Sequence, residues 1–234
     1  MGVLTGGEIL EGLSPTLPFT HEEIIEALER FATSERIARI RHVISRRLRS
    51  VTLVVDALHD PHNGAALVRS CDAFGVQTMH AIERGEALTV ATTVSRGTQK
   101  WIDIVRHDSG AACLKALAES GHELIATHPE GTLSPEDLAS IPKVALLMGN
   151  EREGIAPELR AACARSVKVP MVGFVESLNV SVTAAILLYA ATRGRASDLT
   201  DAEVRALYAR SLYRTVPRPD DYLEAYRMAH PTPP

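Results

Sequence analysis

Residues 146–189 read LLMGNEREGIAPELRAACARSVKVPMVGFVESLNVSVTAAILLY. The apolar run that opens this stretch ends in Gly149-Asn150-Glu151. A second run, Val167–Val169, ends in Pro170-Met171, and Ser177-Leu178-Asn179 then opens an amphipathic segment. Two strand ends, each followed by a small polar loop, create a place where a ligand can sit against backbone groups.

The same alternation extends outward. Val51–Val55, Gln77–Ile82, Trp101–Val105, Glu123–Thr127, Val144–Met148 and Ser166–Val169 read as strands. Ala65–Phe74, Gly110–Ser120, Pro157–Cys163 and Leu178–Thr192 read as the helices between and after them. Asn63 suits the N-cap of the first of these helices, and Gly75 suits its stop. This order predicts an α/β fold, a mostly parallel sheet covered by helices on both faces. At the N-terminal end, Thr20-His-Glu-Glu23 is a capping box, and Thr33 or Ser34 caps a second helix. After Gly194 two polar helices, Asp201–Tyr213 and Asp220–Met228, are separated by Val216-Pro217-Arg218-Pro219. The expected organisation is therefore a helical arm over residues 1–50, an α/β domain over 51–194 and a helical extension over 195–234.

Hydrophobic residues at 45% and charged residues at 23% fit a globular protein. The apolar run near Val180–Ala191 is broken by Ser181 and Thr183 and is too short to span a bilayer. The opening MGVLTGGEILEGL lacks a basic n-region and a long apolar core, which predicts no signal peptide. Cys71, Cys113 and Cys163 have no CxxC spacing, which argues for a reducing compartment, the cytoplasm, and against a zinc site. No GxGxxG follows a strand, which removes an ordinary dinucleotide site. Gly149–Gly154 has P-loop glycine spacing, but Ile155-Ala156 replaces the Lys-Ser/Thr pair. GxSxG and HExxH are absent as well.

A net charge of -4 does not advertise a nucleic-acid binder, but the distribution matters more than the sum. Arg36, Arg39, Arg41, Arg46, Arg47 and Arg49 lie in a stretch without an acid. A solvated helix face usually interleaves acidic partners. This cluster reads as a phosphate-contacting arm.

GNEREG and VPMVGFVESLNVSVTAA resemble the second and third motifs of the SpoU (TrmH-type) RNA 2'-O-methyltransferases of the SPOUT superfamily. The first motif, Asn then Arg six residues on, is matched by Asn63-Gly-Ala-Ala-Leu-Val-Arg69. SRGTQKW, ending at Trp101, resembles a segment of the TrmH subfamily. The resemblance covers roughly 51–193. It implies a deep trefoil knot, with Leu178–Arg193 tucked through the loop before it, which periodicity alone cannot reveal. It also implies S-adenosylmethionine as methyl donor, no metal, a homodimer formed through the knot region, and tRNA as substrate, methylated on the D-loop guanosine at position 18. Ribosomal RNA, another tRNA nucleotide, and a non-catalytic RNA-binding protein stay open as alternatives.

The resemblance assigns catalytic positions to Arg69, Asn63, Glu151, Ser177 and Asn179. The resemblance implies that Arg69 activates the ribose 2'-hydroxyl; a guanidinium is effectively never deprotonated, so the more conservative role is to stabilise developing alkoxide character, and base and stabiliser both stay open. Asn63 and Asn179 each suit a helix cap as well as a site role, and so does Ser177. Donor binding falls on backbone groups around Thr127, Gly149, Val169, Met171 and Leu178. RNA contact falls on the arginine cluster. The C-terminal tyrosines Tyr208, Tyr213, Tyr222 and Tyr226 fit either RNA stacking or packing.

Overall fold

The computed structural model describes residues 19–84, 100–150 and 152–230. In chain order its elements begin with helices α1 (His21–Leu28) and α2 (Ser34–Ile44), strand β1 (Leu48–Asp56) and helix α3 (Pro61–Ala73). Strands β2 (Val76–Ile82) and β3 (Asp103–His107), helix α4 (Gly110–Ser120), and strands β4 (Glu123–Thr127) and β5 (Val144–Met148) follow. Then come helix α5 (Pro157–Ala161), strand β6 (Arg165–Val167), and helices α6 (Val180–Thr192), α7 (Asp201–Thr215) and α8 (Pro219–Ala229). Glu29–Phe31 and Pro135–Ser140 are 3-10 turns. No helix among the described residues is long and apolar enough to cross a membrane.

Two compact units result. One is Leu48–Asp198; the other joins Gly2–Arg47 to Leu199–Pro234. The two terminal extensions, expected as separate parts over residues 1–50 and 195–234, thus form one unit in their described portions. The reason is apolar area. Helices α1 and α2 have too few core positions to enclose one another. Ile24, Ala27, Leu28, Ile40 and Ile44 are instead covered by Leu207, Ala209, Leu212 and Leu223 of α7 and α8. The tyrosines are spent inside this unit. Tyr208 donates its hydroxyl to Glu29 at 2.6 Å, Tyr226 to Glu26 at 2.7 Å and Tyr213 to Asp220 at 2.8 Å. Tyr222 stacks on Phe31. These contacts favour packing over RNA stacking for the C-terminal tyrosines.

In the larger unit six strands form one sheet in the order β3-β2-β1-β5-β4-β6, every neighbouring pair parallel. Alternate residues of the central strands serve opposite faces. Leu53, Val55, Leu146 and Met148 pack with Leu67 and Val68 of α3 and with Leu187 and Leu188 of α6. Val54, Ala145 and Leu147 pack with Cys113 and Leu117 of α4 and Leu159 of α5. Burial on both faces is why β5 reads as an unbroken apolar run and β1 as one broken, within Val51–Val55, by Thr52 alone.

Three local expectations change. Asn63 is not the N-cap of α3; Asp60 is, its carboxylate accepting the His62 N–H at 2.8 Å. Pro61 fits the first helical turn, where its missing N–H costs nothing. The strand expected at Trp101–Val105 runs two residues later. The arginine helix stops at Ile44, so Arg46 and Arg47 follow it and Arg49 belongs to β1.

Past α6 one guanidinium closes two helix ends. Arg195 donates to the carbonyls of Ala191 at 2.6 Å, Pro142 at 2.8 Å and Leu138 at 3.1 Å, and also to that of Ile141. The Ala191 carbonyl belongs to the last turn of α6, where helix geometry leaves carbonyls open, and the other three belong to the 3-10 turn and the two residues after it, the Leu138 carbonyl also accepting the Ile141 N–H. Arg195→Met removes these donors and is expected to cost about 2–3 kcal/mol. Urea unfolding of the two proteins checks this, with Arg195→Lys falling between them because an ammonium lacks the planar fork.

Candidate active site

The strands β4, β5 and β6 end on the same side of the sheet, and the chain leaving each end builds one cavity of about 630 Å³. Thr127 closes β4, donating its hydroxyl to the Leu147 carbonyl at 3.0 Å. Gly149 follows β5. A Cβ on Gly149 would lie 2.2 Å from the carbonyl carbon of Gly154, so the loop doubles back with main chain directly on main chain. Asn150 holds the return. Its N–H and carbonyl pair with Gly154 at 3.0 and 3.1 Å, and its side-chain oxygen accepts the N–H groups of Arg152 and Glu153. Gly154 sits at φ 71°, in the left-handed region where glycine carries no penalty. Gly131, in the loop after β4, is similarly tight, its Cβ position 2.5 Å from the Val167 carbonyl carbon.

Asp56 anchors the far end of the loop. Buried at 2% exposure, it accepts the Ala156 N–H at 2.9 Å and the Arg84 Nε–H at 2.9 Å. Arg84 reaches on to Glu158 at 2.8 Å. Backbone hydrogen bonding at the start of α5, and then Arg84, hold the Glu158 carboxyl below its ordinary value. Sequence reading missed Asp56, Arg84 and Asn150. The available signal was Asn after Gly at a strand end, a pattern that favours a side-chain turn.

The third wall comes from α6. Asn179 is its N-cap, accepting the Ser181 N–H at 2.8 Å. The Asn179 amide also donates to the Asn63 side-chain oxygen at 3.1 Å. The Asn63 and Asn179 motifs, far apart in sequence, therefore meet.

All five positions expected to bind a donor, Thr127, Gly149, Val169, Met171 and Leu178, line the cavity, as do Ser177 and Asn179. Asn63 and Arg69 do not line it. Six helical residues turn the chain by about 240° and advance it about 9 Å, so Asn63 and Arg69 occupy different faces of α3. Asn63 is buried and Arg69 is exposed. Glu151 lies outside the described residues, as do most of the SRGTQKW residues. Of the arginine cluster, Arg36, Arg39, Arg41 and Arg46 are exposed, Arg49 is half-buried and Arg47 is buried. Arg41 pairs with Glu29 at 2.7 Å and lies over the Tyr208 ring.

The lining suits a mixed ligand. Met148, Ile155, Val167 and Leu178 offer an apolar slot beside backbone groups, as a flat heterocycle needs. Glu153, Arg160, Lys168 and Glu176 bring both signs of charge, as an amino-acid end needs. Beside the cavity, Val172, Phe174 and Val175 are exposed, as are Val182 and Tyr189 on α6.

The SpoU rRNA Methylase family model matches residues 50–189. The chain belongs to this family. Its relatives include the tRNA (guanosine(18)-2'-O)-methyltransferase of Escherichia coli, 32% identical over 161 residues, 68% of this chain and 70% of the relative. The Thermus thermophilus enzyme of the same name is 34% identical over 164 residues, 70% and 84% of the two chains. A 23S rRNA (guanosine-2'-O-)-methyltransferase of Xanthomonas axonopodis is 38% identical over 152 residues, 63% of this chain and 60% of its own. Among solved structures, the A. aeolicus TrmH/SpoU tRNA modifying enzyme superposes with a TM-score of 0.70 at 27% identity, covering 79% of this chain and 98% of that one. The SpoU methyltransferase AviRb from Streptomyces viridochromogenes, in complex with AdoMet, gives 0.54 at 25% identity, covering 64% and 58%.

The SpoU loop geometry makes a sharp claim about size. Gly149→Ala forces main chain apart and is expected to lower stability by about 1–3 kcal/mol. Gly173, whose Cβ position meets nothing within 4 Å, is the control. Chemical denaturation should show a lower midpoint for Gly149→Ala and no change for Gly173→Ala.

Proposed function

We propose that this chain is an S-adenosylmethionine-dependent methyltransferase acting on the ribose 2'-hydroxyl of tRNA, at the D-loop guanosine that its relatives' names place at position 18. The carrying observation is the cavity at the ends of β4, β5 and β6, with the expected donor-binding positions on its wall. When bound, the donor supplies an electrophilic methyl group and needs no metal. The chain's part is positioning: backbone groups near Thr127, Gly149 and Leu178 hold the donor, and Asn63 fixes Asn179 beside it. Arg69 stabilises negative charge growing on the 2'-oxygen. Ser177 and Glu151 complete the polar surround.

Arg69 does not line the cavity that holds Asn179. This supports a homodimer in which α3 of one protomer brings Arg69 to its partner's cavity. The exposed apolar patch at Val172, Phe174, Val182 and Tyr189 supports the same assembly. Exposed Arg36, Arg39 and Arg46 serve as phosphate contacts. A trefoil knot, with α6 threaded through the preceding loop, fits the bonds from Arg195 to the carbonyls of Leu138 and Pro142. The reading places the protein in the cytoplasm, where its tRNA substrate is. The Xanthomonas relative's name favours ribosomal RNA as the second reading.

Two variants test the roles. Arg69→Ala is expected to bind S-adenosylmethionine as the wild type does and to lose transfer at least 100-fold. Gly149→Ala is expected to lose donor binding. Mixed and co-refolded, the two form some dimers with one intact composite site, so activity returns. Normal turnover by Arg69→Ala removes its role; no recovery on mixing places Arg69 and the cavity in the same protomer.

A further inference from the structure

Away from the cavity, at the β2–β3 edge, three buried side chains with metal-binding atoms converge. His80 comes from β2, His107 from the end of β3 and Cys113 from the first turns of α4. Their exposures are 6%, 5% and 0%. His80 stands opposite Val105 in the strand register, so His107, two residues on, shares its face of the sheet. His80 Nδ1 and His107 Nε2 are 2.9 Å apart, and one ring nitrogen of each histidine and the Cys113 sulfur lie within 4.8 Å of one another.

Apolar side chains would fill this place as well, since Ile82, Leu117 and Leu147 already pack around Cys113. Two imidazoles and a thiol instead bury polar groups that need partners. We propose that His80, His107 and Cys113 bind a soft divalent metal ion of the zinc type, which ties α4 to the edge of the sheet. Zn–N bonds of about 2.0–2.1 Å and a Zn–S bond of about 2.3 Å put ligand atoms about 3.3–3.6 Å apart in a tetrahedron. The two imidazole nitrogens reach that spacing by a shift of a few tenths of an ångström, and the Cys113 sulfur, within 4.8 Å of a ring nitrogen of each histidine, closes the rest by side-chain rotation. The three donors include no oxygen, which disfavours magnesium and calcium. A water takes the fourth position.

The proton balance is simple. The Zn–S bond replaces the thiol S–H, and that proton goes to solvent. Each neutral imidazole carries one proton: the one lying between the rings moves to the outer nitrogen of the ring that holds it, the other ring is already protonated on its outer nitrogen, and both inward nitrogens, His80 Nδ1 and His107 Nε2, are free to ligate. The site is independent of the methyl-transfer reading, and its test reads binding rather than turnover.

The 234-residue chain is stripped with a chelator and titrated with Co²⁺ and Zn²⁺. The expected result is one equivalent bound, with a thiolate-to-cobalt charge-transfer band in the near ultraviolet. Zinc at a hundredfold excess over its Kd should raise the Tm by about 5–10 °C, and Mg²⁺ should not. Cys113→Ser should lose the band, His107→Gln should weaken zinc binding more than tenfold, and Cys163→Ser, with its half-buried thiol, should change neither. Absence of the band in the wild type overturns the proposal, whatever the variants do. So does a band that survives in Cys113→Ser, or a Tm indifferent to zinc.

Discussion

The pairing of β1 with β5 is the constraint from which the rest of the larger unit follows. Val51–Val55 lies in parallel register with Val144–Met148, and both strands are buried on both faces. Strands so placed must be the centre of the sheet, with helices above and below. Parallel strands all end on one side, so every loop that follows β4, β5 and β6 is delivered to the same place. The cavity results from this delivery. Its shape then depends on main chain, because Gly149 and Gly131 bring backbone against backbone where a Cβ has no room.

Within the chain the cavity and Arg69 are held apart by the geometry of α3. Asn63 faces inward and meets Asn179, while Arg69, six residues on, is exposed. A helix cannot present both residues to one point. Such a division is useful in an enzyme that acts on a large RNA. Under the proposed function the donor would sit in the cavity and Arg69 would meet the substrate from another surface.

Much of this was legible in the sequence where local signals and burial agree. β4, β5 and α4 have the limits that the sequence pattern predicts, and Gly121, at φ 73°, ends α4. The capping box at Thr20 and Glu23 forms as read. Asn63 misled because a stronger start signal, Asp60-Pro61, stands three residues before it. The union of the terminal segments was not legible. It depends on which apolar faces find one another, and α1 and α7 are separated by most of the chain. Asp56 and the His80–His107–Cys113 cluster escaped for a related reason. Each is assembled by strand register and helix placement, and none has a spacing that sequence alone would flag. Arg41 shows the converse: it counts as part of a basic cluster in sequence, yet it is held by Glu29 and Tyr208.

The central claim is ribose methylation of tRNA. The most direct measurement is transfer of labelled methyl from S-adenosylmethionine to unmodified tRNA transcripts, followed by digestion and identification of the labelled nucleoside. The predicted result is label in 2'-O-methylguanosine from the D-loop, lost when that guanosine is replaced. Label on a base, or no label in tRNA while ribosomal RNA is methylated, contradicts it.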